Sequence, residues 1–204
     1  MLLKKDIKYH KNEFIVKALT LTAGLLFINS LFLSSILKTS MGLVLYISKY
    51  LDYQDTVHGF KVKYPTDWEK IQFSQGITEG PHNLVVNFLS PSRGSQTFRE
   101  YLMIETANVT SASTFLNQEI SFLTQSFPHF TPVQISNSSL AGHNANTLVF
   151  TYRDPIIGTG KVIEIWTITG SKAYILSYHA DSVDYISYLP IIQTMIKSFD
   201  LMPK

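Results

Sequence analysis

Three side chains near the C-terminus have types and spacing that suit ion binding. His179 is followed by Asp181 and Asp184, at a junction between a predicted strand and a predicted helix. Carboxylate oxygens are natural ligands for calcium, but Ca²⁺ takes about six to eight oxygens, and two acids supply only part of that set. The same carboxylates are also placed to cap the helix that follows. The sequence therefore leaves a calcium site and a helix cap as alternatives here.

Charged residues on predicted loops are the candidate contacts for a protein partner. Arg153 and Asp154 end a predicted strand and enter a loop, and Arg93 lies in an earlier loop that also follows a strand. Arginine side chains displayed on loops are common partner contacts. The alternative is that all three are ordinary solvated charges.

The sequence carries no catalytic signature. His-Glu-x-x-His and Gly-x-Ser-x-Gly are absent, and the lack of cysteine excludes disulfides, thiolate metal sites and cysteine nucleophiles. Segment 158–161 (GTGK) is similar to the end of a phosphate-binding loop, but Pro155 and Val162 stand where that motif needs Gly and Ser or Thr, which favours a hairpin turn. The six histidines have no i,i+4 pair and are expected on loops and strand surfaces, with a metal site assembled only in three dimensions as the alternative. We therefore expect a protein that is not an enzyme and has no cofactor, with calcium as the one candidate ion.

The elements that must position these residues form a β-rich domain. In segment 59–65, Phe60, Val62 and Tyr64 alternate with lysines, which is the period-2 pattern of a half-buried strand, and Pro65 ends it. Runs rich in Val, Ile, Tyr and Thr predict further strands at 84–89, 101–108, 131–136, 147–152, 162–169 and 173–179. Short turns separate the last three, so we expect them to form an antiparallel meander.

Two helices are predicted beside these strands. Apolar residues at three- and four-residue spacing predict the first over 113–127, and Pro128 ends it. The second is expected from about Asp181 to Phe199, with Pro190 at the start of a fresh first turn. Helices packed on an antiparallel sheet give an α+β sandwich.

The N-terminal segment carries the apolar excess of the chain. Residues 18–37 are a run of twenty without a charge, which as a helix spans about 30 Å, the thickness of a bilayer's hydrocarbon core. We predict a transmembrane signal anchor there, after a basic cytoplasmic N-terminus at 1–17 and before a juxtamembrane stalk at 38–52. Five lysines precede the run, so the N-terminus is expected in the cytoplasm of a single-pass cell-membrane protein, with the domain at 53–204 outside. A cleaved signal peptide is the alternative, although its apolar region is usually only about 7–15 residues long.

The charge of the chain is divided between these two parts. Residues 1–51 carry seven lysines and two acidic residues, a net charge of +5, whereas residues 52–204 carry ten basic and thirteen acidic residues, a net charge of −3. An acidic domain outside the cell argues against nucleic acid as a partner. Asn108 and Asn137 each begin an Asn-x-Ser/Thr sequon, which makes them candidate glycosylation sites in such a domain.

Two segments resemble a known family. VHGFKVKYPTDWEKIQ (57–72) resembles the opening of the PsbP-like domain, and AYILSYHADSVDYISYLPIIQTMIKSFDL (173–201) resembles its closing strand and helix. The resemblance covers about 53–202, and the N-terminal anchor is similar to that of archaeal-type members. It implies the Mog1/PsbP-like fold, a central antiparallel sheet with helices on both faces. It also implies an extrinsic, non-enzymatic partner domain, since plant and cyanobacterial relatives bind the lumenal face of photosystem II and help to retain calcium and chloride.

Two classes of function follow as expectations. The first is a membrane-anchored accessory domain that binds and stabilises an unidentified membrane or surface protein. The second is a domain that binds a small ligand or calcium in a pocket beside the sheet. A relative of the photosystem II extrinsic subunits is a further alternative for a photosynthetic host, although this chain has an anchor in place of a lumenal targeting segment.

Overall fold

The computed structural model describes residues 50–92, 98–155 and 158–203, with the backbone alone for 74–79. Within those ranges no helix is long and apolar enough to cross a membrane. The anchor predicted at 18–37 lies outside the described residues.

The described residues form ten strands and two helices. In chain order these are β1 (Tyr50–Asp55), β2 (Phe60–Pro65), β3 (Glu69–Glu79), β4 (His82–Leu89), β5 (Tyr101–Asn108), α1 (Ala112–Ser126), β6 (Thr131–Leu140), β7 (His143–Asp154), β8 (Gly158–Thr169), β9 (Lys172–Asp181), α2 (Tyr185–Ser198) and β10 (Asp200–Leu201). All seven predicted strands are confirmed, as β2 and β4 to β9. The first predicted helix is confirmed as α1, to within one residue at each end.

Seven strands make one antiparallel sheet in the order β3-β4-β5-β9-β8-β7-β6. It consists of two groups of hairpin-connected strands, β3 to β5 and β6 to β9, and α1 links them along the chain. The groups meet where β5 pairs with β9, with Met103 opposite Ser177 and Glu105 opposite Ile175. The predicted meander of β7, β8 and β9 is therefore confirmed.

A second, three-stranded sheet and helix α2 cover one face of the large sheet. The small sheet has the order β1-β2-β10. Phe60, Val62 and Tyr64 of β2 are buried while the lysines between them are exposed, as the period-2 pattern requires. Ile192 and Met195 of α2 are fully buried in the same core.

Alternation along β9 divides the interior into two cores. Leu176 and Tyr178 face the small sheet and α2, whereas Ile175 faces the other way and packs with Phe115 and Leu123 of α1. Successive side chains of a strand point to opposite faces, so one central strand serves both cores. Each helix therefore has its own face of the sheet, which confirms the expected α+β sandwich with helices on both faces.

Three strands lie outside the sequence prediction. Strand β1 begins at Tyr50, within the predicted stalk, and neither β3 nor the two-residue β10 has a clear alternating pattern. Strand β3 is an edge strand, paired only with β4, and its register shifts between Gln72 and Ile77. An edge strand with a bulge does not bury one regular face, so its sequence does not alternate regularly.

The second helix differs from its prediction in its first residue and in the position of its proline. It begins at Tyr185, four residues later than predicted, and Pro190 lies inside it instead of starting a new turn. A proline in a helix interior costs about 3 kcal/mol because it removes a backbone hydrogen bond. Burial of Ile192 and Met195 contributes about 1.5–3 kcal/mol each. Packing on the sheet is therefore large enough to keep α2 continuous through Pro190.

Candidate functional site

Four ionisable side chains are buried together between α1 and the large sheet. They are His82 at the start of β4, Glu105 on β5, Glu119 on α1 and Glu164 on β8, and each is at most 5% exposed. Residues of these types are rarely buried to this extent unless they are paired. We refer to these four residues as the acidic cluster.

Strand register places two of the carboxyl groups near each other. Glu105 on β5 is opposite Ile175 of β9, and Glu164 on β8 is opposite Ser177 of the same strand. Strand β9 lies between β5 and β8, and its residues 175 and 177 share the face that packs against α1. Both carboxyl groups therefore lie on the α1 side of the sheet.

His82 lies between two carboxylates of the acidic cluster. Its Nε2 is 2.8 Å from Oε2 of Glu119, and its Nδ1 is 3.6 Å from Oε2 of Glu105. Burial lowers the pKa of His82, but the contacts with Glu105 and Glu119 outweigh burial and raise that pKa to about 10. His82 is therefore an imidazolium at neutral pH, and its hydrogen bond to Glu119 is charge-assisted.

Glu164 has only part of its hydrogen-bonding capacity satisfied. Its Oε2 accepts a hydrogen bond from Oγ of Ser177 at 3.2 Å, while its Oε1 is buried without a hydrogen-bond partner among the described residues. Burial, and then the negative charges of Glu119 and Glu105, raise the pKa of Glu164 well above its ordinary value. The group is thus held as a neutral carboxylic acid at pH values where a glutamate in water is ionised.

His179 adds an uncharged imidazole to the same region. Burial lowers the pKa of His179 to about 3, so the ring is neutral at physiological pH. The ring stacks on that of Tyr101, with centroids 4.6 Å apart and planes inclined by 12°, and Phe127 lies at 5.9 Å. Its Nδ1 is buried and has no hydrogen-bond partner in the part of the chain that the structure describes.

A cavity of about 240 Å³ opens beside these groups, under α1. Its polar wall consists of Glu105, Glu164, Ser177 and His179. None of the described residues that line it is a lysine or an arginine. The cavity therefore presents carboxyl, hydroxyl and imidazole groups, which suit a small polar molecule.

The rest of the wall is apolar. It is formed by Met103, Phe122, Leu123 and Phe127, and the exposed residues Gly80 and Ser126 lie at the mouth. The ring of Phe122 packs against that of His82 with centroids 4.8 Å apart and planes at 62°. An apolar wall with a few convergent polar groups is the usual composition of a small-molecule site.

The three predicted calcium ligands have different surroundings and different hydrogen bonds in the structure. His179 faces the cavity, Oδ1 of Asp181 accepts a hydrogen bond from the backbone N–H of Val183 at 2.9 Å, and Asp184 is the N-cap residue of α2 without a side-chain capping bond. Within the described ranges no group of three or more His, Asp or Glu residues is arranged to hold a metal ion. Asp181 therefore ends β9 and Asp184 holds the N-cap position of α2, and neither carboxylate makes a side-chain capping bond to that helix.

The predicted partner contacts lie at the β7–β8 hairpin. Arg153 is exposed, and its Nη1 donates a hydrogen bond to Oγ1 of Thr159 at 3.1 Å. Asp154 is half-buried opposite Gly158, so 158–161, for which the sequence predicts a hairpin turn, instead begins the second strand of the hairpin. Arg93 lies outside the described residues, and the role of all three residues in partner binding stays a prediction. Asn108 and Asn137, the candidate glycosylation sites, are both exposed.

The expectation that the histidines lie on loops and strand surfaces is wrong for His82 and His179, which are buried. The sequence does contain a signal for the acidic cluster. Glu119 occupies the apolar stripe of α1, four residues from both Phe115 and Leu123, and an acid at such a position must be buried. Glu105 directly follows the apolar residues 102–104 of β5, and Glu164 lies between Ile163 and Ile165 of β8.

Solved structures share this fold. No model of a known protein family matches the chain, and a search of curated proteins finds no match. The cyanobacterial PsbP protein CyanoP from Synechocystis sp. PCC 6803 aligns with a TM-score of 0.55 over 75% of this chain and 92% of its own, at 15% identity. LpqN from Mycobacterium tuberculosis, described as involved in cell envelope biogenesis, aligns with a TM-score of 0.56 over 76% and 91% of the two chains, at 11% identity. The chain therefore has the PsbP-like fold that the resemblance predicted, and at these identities the likeness extends to the fold alone.

Proposed function

We propose that the protein is a non-catalytic binding domain, held on the outer side of a membrane, whose binding element is the cavity under α1. The observation that carries the proposal is the set of buried polar atoms without partners beside that cavity, Oε1 of Glu164 and Nδ1 of His179. Buried polar groups are hydrogen-bonded in most proteins, and leaving one unpaired costs about 1–3 kcal/mol. If α1 only packed on the sheet to bury it, these positions would be expected to carry apolar residues.

The accessory character of the domain is part of the same proposal. The fold is shared with CyanoP and with LpqN, whose description refers to the cell envelope. The uncharged run at 18–37 and the lysines before it support an anchor with the domain outside. A membrane or surface protein is the partner we propose, with Arg153 and Asp154 among the exposed or half-buried hairpin residues available to it.

Blocking the mouth of the cavity tests the binding role. Ser126 is exposed at the mouth, whereas Ser121 is exposed on the same helix away from the cavity. In full-length protein in lipid nanodiscs, we expect a library of small fragments to give ligands whose binding is weakened at least about tenfold by Ser126→Trp and unchanged by Ser121→Trp. Ligand-observed nuclear magnetic resonance measures this. The absence of any fragment that binds, or equal binding to both variants, would contradict the proposed function.

A further inference from the structure

We propose that the cavity under α1 takes a small organic cation, a protonated amine whose ammonium group pairs with Glu164 and whose apolar part lies against Phe122 and Phe127. This inference rests on the proposed function, and it names the class of ligand. It is carried by the charge of the acidic cluster, by the position of unpartnered atoms and by the composition of the cavity wall.

The acidic cluster contains fewer basic groups than acidic groups. One imidazolium, that of His82, faces three carboxyl groups, those of Glu105, Glu119 and Glu164. His82 contacts Glu105 and Glu119, and among the described residues that line the cavity no lysine or arginine reaches Glu164. Buried charges are stable only when they are paired, so the protein alone keeps Glu164 protonated. A ligand with a positive charge would supply the missing partner.

The unpartnered atoms point to a hydrogen-bond donor. Glu164 and His179 both line the cavity, and Oε1 of the first and Nδ1 of the second have no hydrogen-bond partner among the described residues. A carboxylate oxygen and the unprotonated nitrogen of a neutral imidazole are both acceptors. An ammonium group carries three N–H donors, so it can donate to the carboxylate of Glu164 and to the unprotonated ring nitrogen of His179. An anion would instead meet the carboxyl groups of Glu105 and Glu164.

The volume of the cavity and its apolar wall favour an organic cation over a metal ion. In the described ranges, no three His, Asp or Glu residues are arranged so that they could bind a metal ion. The rings of Phe122 and Phe127 line the cavity, and aromatic faces attract cations. The cavity of about 240 Å³ exceeds the volume of about 150 Å³ that accommodates benzene in an engineered protein core. It therefore has room for a six-membered ring that carries a short ammonium-bearing arm.

Benzylammonium and its neutral analogue benzyl alcohol form a matched pair of probes. With full-length protein in lipid nanodiscs, protein-observed chemical-shift titration should give a Kd for benzylammonium at least about tenfold lower than that for benzyl alcohol at pH 7. Glu164→Gln should remove at least about tenfold of the benzylammonium affinity and leave the affinity for benzyl alcohol unchanged. Glu69→Gln, the same change at an exposed carboxylate, should alter neither Kd.

The pH dependence adds a signature that a merely structural Glu164 would not give. Binding of the ammonium displaces the proton of Glu164, so the affinity should rise with pH, by up to about tenfold per pH unit, between the ordinary pKa of a glutamate and the raised pKa of Glu164. The titratable groups that face Glu164 are Glu105 from β5, Glu119 from α1, His82 from β4 and His179 from β9, with the Ser177 hydroxyl beside them. The affinity of Glu164→Gln should not vary with pH over that range.

The outcomes separate the two proposals. If fragments bind in a manner sensitive to Ser126→Trp but benzyl alcohol binds as tightly as benzylammonium, the cavity is a binding site and the cation inference is wrong. If benzylammonium binds equally to the wild type and to Glu164→Gln, the inference is wrong in the same way. If no probe binds in the cavity, both proposals fail.

Discussion

Glu164 is the residue whose burial has the most direct thermodynamic consequence. In the unfolded chain a glutamate ionises with a pKa of about 4.3, whereas burial and the nearby carboxylates raise the pKa of Glu164 well above that value in the folded protein. Between the two pKa values the unfolded chain binds fewer protons, so the free energy of unfolding falls as pH rises. The slope from this one group is about 1.4 kcal/mol per pH unit.

Glu164→Gln removes this dependence because an amide does not ionise. We expect the variant to be more stable than the wild type, by an amount that increases as pH rises from the ordinary pKa of a glutamate towards the raised pKa of Glu164. Urea unfolding of the full-length protein at several pH values measures the difference. Glu69→Gln is the control, since Glu69 is an exposed partner of Arg99 and should give no pH-dependent change. A variant that is less stable than the wild type, by an amount that grows as pH rises, would show that Glu164 is ionised and paired in the folded protein.

At the scale of elements, the β3–β4 turn holds one side of the cavity mouth in place. Gly80 has a φ of +61°, and a Cβ added there would lie 2.4 Å from Cε2 of Phe122. Phe122 in turn packs on His82. The turn therefore needs glycine both for its left-handed backbone and for the approach of the α1 ring.

Gly80→Ala should disturb this contact, and Gly142→Ala is its matched control. Gly142 has a φ of +76°, but a Cβ there would meet no atom within 4 Å. Both changes introduce a left-handed alanine, which costs about 1–2 kcal/mol, whereas only Gly80→Ala also displaces a ring. We expect Gly80→Ala to lower the unfolding free energy by about 1–3 kcal/mol more than Gly142→Ala, measured by urea unfolding. Equal losses would show that Phe122 moves aside without cost.

The elements also show where sequence patterns succeed. Strand β2 and helix α1 are predicted well because alternation and three- and four-residue spacing record one buried face over many residues. The sequence predicts the start of α2 four residues too early because Asp181 accepts a hydrogen bond from the backbone of Val183 in a turn before the helix. That arrangement uses the same residue type as a true cap.

At the scale of the whole molecule, the proposed membrane topology can be tested with the natural absence of cysteine. A cysteine introduced for Ser187, which is exposed on α2, is then the one thiol in the chain. We expect a membrane-impermeant maleimide to label Ser187→Cys in intact cells and to label Asn12→Cys, in the basic N-terminal segment, only after lysis. Labelling of Asn12→Cys in intact cells would contradict the proposed orientation.

The sequence by itself determined seven of the ten described strands, the first helix and the α+β class, because these depend on periodicity along short stretches of chain. It also contained the acids that interrupt the apolar stretches, without indicating that they meet. Only the tertiary structure decided the site. His82, Glu105, Glu119 and Glu164 come from four different elements, and strand pairing and the packing of α1 bring them together. The protonation states of His82 and Glu164 follow from burial and from the neighbouring charges, which are properties of the folded molecule and not of any local segment.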